Sequence, residues 1–330
     1  MIASIWLSAA LVFPAGSARA LSPENSLAKP VVAVALPGRQ DFWRRCQQAM
    51  QDYARLNDLE LRLVFSQNDQ MTQNTQVRQL LAASPDVLIL AAHDALGAAS
   101  AVKLARNAKV KVMALDRLTL NADLDLYLAF DHEEAGTRQA QYLVDLAPAG
   151  PYVILSGPPN DYSAHLSLKG ALKVLDPLIE SGRIQVLADG PILDGQAEKA
   201  GDLIHRLLDQ GRPPVAILAP NDLTAGEVVA ALRAAGLSGQ MPVAGQNGSP
   251  AAARLIRNRE QALTLVKDPA VLAERALELA VTLALGKDLA TEAKATINNG
   301  LKDVPAVLLP TPPVDRHNLE TALTEGIIHL

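Results

Sequence analysis

PDVLILAAHDALGAASAVKLARNAKVKVMALDR (Pro85 to Arg117) reads as strand, helix, strand and then a charged pair. PDVLILAA (Pro85 to Ala92) is a buried-strand run introduced by proline, Ala95 to Asn107 has helical spacing, and VKVMAL (Val110 to Leu115) is a second apolar run. Two strands joined by about a dozen helical residues form the repeating unit of a parallel sheet, whose neighbours need a crossover of that length. Helices cover both faces of such a sheet, so its strands are apolar throughout. The second strand ends at Asp116-Arg117, where open parallel sheets bind small molecules. A carboxylate beside a guanidinium offers acceptor oxygens and a fork of donors within one residue step, a pairing that suits a sugar. An internal ion pair bracing a hinge is the alternative role for this pair.

The same alternation extends in both directions. Upstream are VVAVAL (Val31 to Leu36), a helix over Asp41 to Leu56, LELRLVF (Leu59 to Phe65) and a helix over Met71 to Ala83. Downstream are LDLYLAF (Leu124 to Phe130), a helix over His132 to Leu146, PYVILSG (Pro151 to Gly157) and a helix over Ser163 to Ser181. RIQVLAD (Arg183 to Asp189), PVAILAP (Pro214 to Pro220), PVAGQ (Pro242 to Gln246) and ALTLVK (Ala262 to Lys267) follow, separated by helices over Gln196 to Gln210, Leu223 to Ala235 and Ser249 to Asn258. A helix over Pro269 to Leu285 precedes an irregular tail rich in Pro and Asn. The fold class is α/β, with two doubly wound lobes of similar size joined by a hinge. No short fixed repeat is present, which argues against a solenoid.

At 330 residues, 49% hydrophobic and 20% charged, the chain has room for two domains of about 150 residues each. A formal net charge of −5 speaks against a general nucleic-acid surface. The lone Cys46 permits no internal disulfide, and the His residues show no metal-ligand spacing. No metal or other cofactor is expected. The nucleophile elbow, the H-E-x-x-H pair, the Walker loop and a G-x-G-x-x-G after the first strand are absent, so no enzyme is expected. MIASIWLSAALVFPAGSARA (residues 1–20) is apolar and small and closes on Ala18-Arg19-Ala20, an A-x-A-type cleavage site. It reads as a secretory signal peptide too short to span a bilayer, with an apolar N-terminal strand as the alternative. A soluble, exported protein without insertion into the membrane follows from that reading, and one free cysteine suits a periplasm.

Polar residues gather where strands end. The first strand leads into Arg39, Phe42 and Trp43, and PYVILSG leads into Asn160, Asp161, Tyr162 and Ser163. PVAILAP ends in Asn221-Asp222, PVAGQ in Gln246-Asn247 and ALTLV in Lys267-Asp268. Amides and carboxylates of this kind can bridge adjacent hydroxyls, while an apolar or aromatic wall covers the C–H face of a pyranose. Other roles stand beside these. Asn221-Asp222 has an N-cap signature, with capping the favoured role for Asp222. Gln246-Asn247-Gly248 can be a turn, Lys267 can pair locally, and one of Phe42 and Trp43 belongs to the core because adjacent helical residues diverge.

From Pro30 to Val314 the chain resembles the type I periplasmic sugar-binding proteins of ABC transporters, most closely their D-xylose-binding branch. The pieces that carry the resemblance are PDVLIL, VMALDR, YLAFD followed by a helix, APNDLTAG (Ala219 to Gly226), GLSGQ with VAGQ after it, and TINNGLKDVPAVLL (Thr296 to Leu309). The resemblance implies two Rossmann-like lobes with three crossings and a ligand clamped between them. The boundaries it suggests are 29–131 with 268–292 for the N-terminal lobe and 132–267 with 293–330 for the C-terminal lobe. It implies sugar contacts at Asp116, Arg117, Asn221 and Lys267, which match the pattern. Four positions depart: Phe42 stands for Arg, Ser163 for Asn, Gln196 for a stacking Trp and Asn247 for Asp. Exchanging Asp for Asn turns an acceptor into a group that both donates and accepts, which alters the hydroxyl pattern read.

The function expected is a monomeric periplasmic solute-binding protein. It captures a xylose-like pentose or related aldose and delivers it to an ABC transporter permease. The alternative partner is a membrane histidine kinase or chemoreceptor, which neighbouring genes would distinguish. The effector core of a LacI-type regulator shares the fold, but no helix-turn-helix precedes Val31.

Overall fold

The computed structural model describes residues 29–330. The leader expected over residues 1–20 lies outside the described residues. VVAVAL forms β1 (Val31–Leu36), whose side chains alternate between two cores. Val32, Val34 and Leu36 pack into one, while Ala33 and Ala35 pack into the other. Successive strand residues point to opposite faces, so an unbroken apolar run is what a strand covered on both sides requires.

The first lobe continues through α1 (Asp41–Leu56), β2 (Glu60–Phe65), α2 (Gln70–Leu81), β3 (Val87–Leu90), α3 (Ala99–Asn107), β4 (Lys111–Leu115) and β5 (Leu126–Phe130). The chain crosses at Asp131 into α4 (His132–Leu146), β6 (Gly150–Ser156), α5 (Tyr162–Glu180), β7 (Ile184–Pro191) and α6 (Glu198–Asp209). The second lobe adds β8 (Ala216–Leu218), α7 (Asp222–Ala234), β9 (Val243–Asn247), α8 (Pro250–Arg257) and β10 (Leu263–Val266). It is followed by α9 (Pro269–Ala284), β11 (Ala295–Asn298), β12 (Asp303–Leu309), β13 (Pro313–Asp315) and α10 (Leu319–Thr324).

The first sheet has the order β11-β12-β5-β4-β3-β1-β2 and the second β13-β10-β9-β8-β6-β7. Both are parallel except for one antiparallel edge strand each, β11 against β12 and β13 against β10. Helix α9 returns to the first lobe and shares a core with α1 through Leu272, Ala276 and Leu283.

The tail corrects two expectations. It is not irregular, and 293–330 does not belong to the C-terminal lobe as a whole. Ala306–Leu309 of β12 pair in parallel with Tyr127–Phe130 of β5, and β11 folds back on β12, so 295–309 extend the first sheet. Asn299 closes that hairpin: its side chain donates to Thr119 and Ala122 carbonyls and accepts from the Leu301 and Lys302 amides. Only from β13 onward does the tail join the second lobe. Three segments therefore cross between lobes, at 131–132, 267–268 and 310–312. They run side by side, with Asp131 N donating to Leu309 O and Val266 N to Pro312 O.

Helices α4 and α5 touch backbone to backbone. A Cβ at Gly136 would lie 1.8 Å from the Ser167 carbonyl oxygen, and one at Gly170 1.9 Å from that of Glu133. Only glycine permits this approach. The closeness matters because both helices begin at the interlobe cleft.

Candidate functional site

A cleft of about 310 Å³ opens between the C-terminal ends of the two sheets. That lies at the small end of the roughly 300–1,000 Å³ typical of small-molecule sites. Phe42, Asp116, Arg117, Ser163, Asn221, Asn247 and Lys267 all line it, drawn from both lobes. Gln196 does not, although Leu193, Asp194, Gly195 and Ala197 around it do. Gly195 takes a φ of 76°, and the Gln196 amide closes a turn onto the Leu193 carbonyl. The turn brings Asp194 to the wall in place of Gln196, and it delays α6, which was expected to start at Gln196.

Asp116 and Asn247 carry unusual backbone. Their φ angles are 57° and 105°, in the region that side chains with a Cβ avoid. Such strain persists where surroundings enforce it, and it concentrates at ligand-handling positions. For Asp116 the enforcement is visible. Its amide donates to Leu128 O at 2.7 Å, and its carbonyl accepts from the Tyr127 hydroxyl at 2.8 Å. The strained turn after β4 points the carboxylate into the cleft.

Asp116 and Arg117 do not pair with each other, but Arg117 forms an internal ion pair of the kind the bracing alternative describes. Arg117 Nε lies 2.9 Å from Asp161 Oδ2 and its Nη2 3.4 Å from Asp194 Oδ2, both in the opposite lobe. Burial lowers the Arg117 pKa, but Asp161, Asp194 and Asp116 outweigh it and hold the guanidinium firmly charged. Asp116 instead faces His132, whose Nε2 is 3.1 Å from Oδ1. Burial pushes its carboxyl up, yet His132, Lys267 and Arg117 together keep it below the usual carboxylate range. Lys267 reaches the other nitrogen of the same ring, 3.1 Å from Nδ1, and burial lowers its pKa. The local pair with Asp268 does not form, since Asp268 caps α9 by accepting from the Ala270 amide.

The second lobe presents helix starts. Asn221 is the N-cap of α7, its Oδ1 accepting from Thr224 N at 2.9 Å, so its Nδ2 donors are left to the cleft. Asp222 was expected to be the cap and is not. It sits just inside the helix, 3% exposed, taking hydrogen bonds from Ser249 N, Gln261 Nε2 and Thr264 Oγ1. Burial raises its pKa to about 6 against the opposing effect of those donors. Thr264 also accepts from Gly248 N, so this knot fixes the turn that carries Asn247. The Ser163 hydroxyl donates to Asp161 Oδ1 at 2.5 Å and offers the cleft only its lone pairs.

Trp43 is buried in the core and Phe42 is half-buried, edge-on to it at 5.0 Å, yet both line the cleft, and the Arg117 guanidinium stands 6.0 Å over the Trp43 ring. The facing wall is aliphatic, from Leu155, Pro158, Ile192 and Leu193.

Three participants were absent from the expected set: Asp161, Asp194 and His132. Asp161 stood in the strand-end list without a role. His132 stands two residues past the end of β5, close to the signal that found the others, but reads in sequence as a helix start. Among the described residues no His, Cys, Asp and Glu cluster suited to a metal occurs, and no helix is long and apolar enough to cross a membrane.

Residues 32–288 match the periplasmic binding protein domain. The chain is similar to the D-xylose-binding periplasmic protein of Haemophilus influenzae, 38% identical over 290 residues that cover 87% of each. The D-xylose-binding periplasmic protein of Escherichia coli is 36% identical over 257 residues, 77% of each chain. Among solved structures, a carbohydrate transporter solute binding protein from Chloroflexus aurantiacus in complex with D-glucose superposes with a TM-score of 0.82. It shares 31% identity, over 91% of this chain and 96% of that one.

Proposed function

The chain belongs to the periplasmic binding protein family, and from that premise we propose that it captures a neutral monosaccharide, a xylose-like pentose or related aldose, in the periplasm. It then delivers the sugar to an ABC transporter permease. The observation that carries this reading is a small cleft lined by polar strand-end residues of both lobes. A ligand contacting both lobes favours the closed arrangement by the difference in its contacts between the two states. The relatives are sugar-binding proteins, which supports a sugar as ligand and capture without chemistry.

The roles follow from what each group has left to offer. Asp116 accepts from ring hydroxyls, and Asn221 donates through Nδ2. Asn247 both donates and accepts, and the free N–H groups of Arg117 and the Lys267 ammonium donate. Phe42 covers an apolar C–H face. An anionic ligand is disfavoured, because Arg117 already faces Asp161 and Asp194, and Lys267 approaches Asp116 through His132. Gln196 stands outside the lining, so it is given no role here.

The test is a thermal-shift screen of the mature protein against pentoses, hexoses and polyols, followed by calorimetric titration of each hit. Aldoses are expected to raise the melting temperature in a concentration-dependent way. A panel without a single stabilising sugar would overturn the reading.

A further inference from the structure

His132 sits in the first turn of α4 yet does not serve the helix, which Asp131 caps through Glu134 N. The side chain is 3% exposed and lines the cleft between two charged groups of different origin. Asp116 comes from the turn after β4, and Lys267 from the end of β10, where another segment crosses between lobes. Nδ1 lies 3.1 Å from Lys267 Nζ and Nε2 3.1 Å from Asp116 Oδ1. The approach to Asp116 is short of good hydrogen-bond alignment, and neither atom has another partner.

An ammonium has donors only, so the ring nitrogen facing it must supply a lone pair. A neutral imidazole with its lone pair on Nδ1 carries its proton on Nε2, the nitrogen that faces the carboxylate. Both contacts thus ask for one tautomer. We propose that His132 is a positioning residue of the cleft: as the Nε2–H tautomer it ties Lys267 to Asp116 and holds the two groups at the spacing that a sugar's hydroxyls read. This rests on the monosaccharide reading of the cleft. It adds a residue that spans two crossings, so that lobe closure and the geometry of the polar cluster are set together.

The experiment compares wild type with H132L, H132N and H132Q by calorimetry, using whichever aldose the screen identifies, and reads the ring by long-range ¹H–¹⁵N NMR. H132L is expected to weaken binding by roughly ten- to hundredfold, the range for losing hydrogen bonds to charged groups. The short amide of H132N can still face Lys267, and the longer amide of H132Q can still reach Asp116, so each is expected to recover part of the loss. The wild-type ring is expected as the Nε2–H tautomer. The Nδ1–H tautomer, or H132L binding as tightly as wild type, would overturn the proposal. Should H132L not fold, H132N and H132Q with the tautomer measurement decide. If wild type binds no sugar, the cleft's assignment fails separately, and the tautomer still reports whether His132 joins Lys267 to Asp116.

Discussion

Arg117 of the first lobe and Asp161 of the second form an ion pair at 2.9 Å, with side chains only 10% and 8% exposed. The pair is not isolated. Asp194 approaches the same guanidinium, and next to it Ala95 N donates to Asn160 O and Asn160 Nδ2 to His93 O, each at 3.0 Å. All of these contacts join the two lobes, and all would separate if the cleft opened. Protein groups alone therefore favour the same closed arrangement that a bridging ligand favours.

Asp161→Asn tests that coupling cleanly. Asp161 is the N-cap of α5, accepting from Ser163 N, and asparagine caps a helix as well as aspartate, so the start of α5 survives while the charge is lost. Burial limits screening by salt, and removing one partner leaves the buried Arg117 charge with Asp194 alone, which costs more than losing a surface bridge. The ligand-free variant is expected to show a larger radius of gyration by small-angle scattering and about tenfold weaker sugar binding. Unchanged dimensions and affinity would remove the pair from closure.

Asp116→Asn isolates the carboxylate from its backbone. Asparagine tolerates positive φ nearly as well as aspartate, and the backbone bonds to Leu128 and Tyr127 remain available. Sugar affinity is expected to fall roughly a hundredfold, since the lost acceptor faces hydroxyls in a buried site. Urea unfolding should cost no more than about 1–3 kcal/mol, the range of an ordinary point substitution. Wild-type affinity in calorimetry would exclude Asp116 from the site.

How far this could be read from the chain depended on burial. Strands such as VVAVAL and KVMAL lie in parallel sheets covered on both faces, so apolar runs mark them directly. The edge strand β11 carries the pattern of half-buried, exposed, half-buried, exposed over Ala295–Asn298, and β13 begins with a proline. Neither produces such a run, and nothing in their order along the chain says which sheet they join. The site divides in the same way. Asp116, Asn221, Asn247 and Lys267 lie at or just past strand ends, a matter of topology. Asp194 reaches Arg117 only because Gly195 turns the loop, a conformational detail that spacing does not encode.

Asp222 makes stability depend on pH in an unusual direction for a carboxylate. Its folded-state pKa is raised from 3.8 to about 6. As pH falls through 6 the folded protein takes up a proton that the unfolded chain still refuses. Stability therefore rises between about pH 6 and pH 4 and levels off below that. A shift of about two units corresponds to at most about 3 kcal/mol. Carboxylates held low, such as Asp116, Asp123 and Glu260, act oppositely, losing stabilisation only as pH falls from the ordinary carboxylate range downward. His93, its pKa lowered by burial, opposes this gain in both proteins, so urea titrations at pH 7.5 and pH 5 should show a change on acidification that is less favourable in Asp222→Asn than in wild type. An identical change in the variant would assign the effect elsewhere.

Two glycines in helices predict opposite effects of the same substitution. At Gly136 an added Cβ would meet the Ser167 carbonyl oxygen at 1.8 Å, and because that atom is backbone, relief requires α4 and α5 to part. At Gly226, inside α7, an added Cβ meets nothing within 4 Å. Alanine is favoured over glycine in a helix interior by about 1 kcal/mol, so Gly226→Ala should stabilise by roughly that amount. Gly136→Ala gains the same propensity and still should destabilise by about 3 kcal/mol or more, as overpacking outweighs it. The cost has a functional side. The first turns of α4 and α5 hold His132, Asp161 and Ser163, so parting these helices moves three cleft residues at once. Gly136→Ala is accordingly expected to weaken sugar binding as well as stability, whereas Gly226→Ala should leave affinity unchanged. Denaturant melts paired with calorimetry check both. Equal stability of the two variants would mean that α4 and α5 are not locked at this contact.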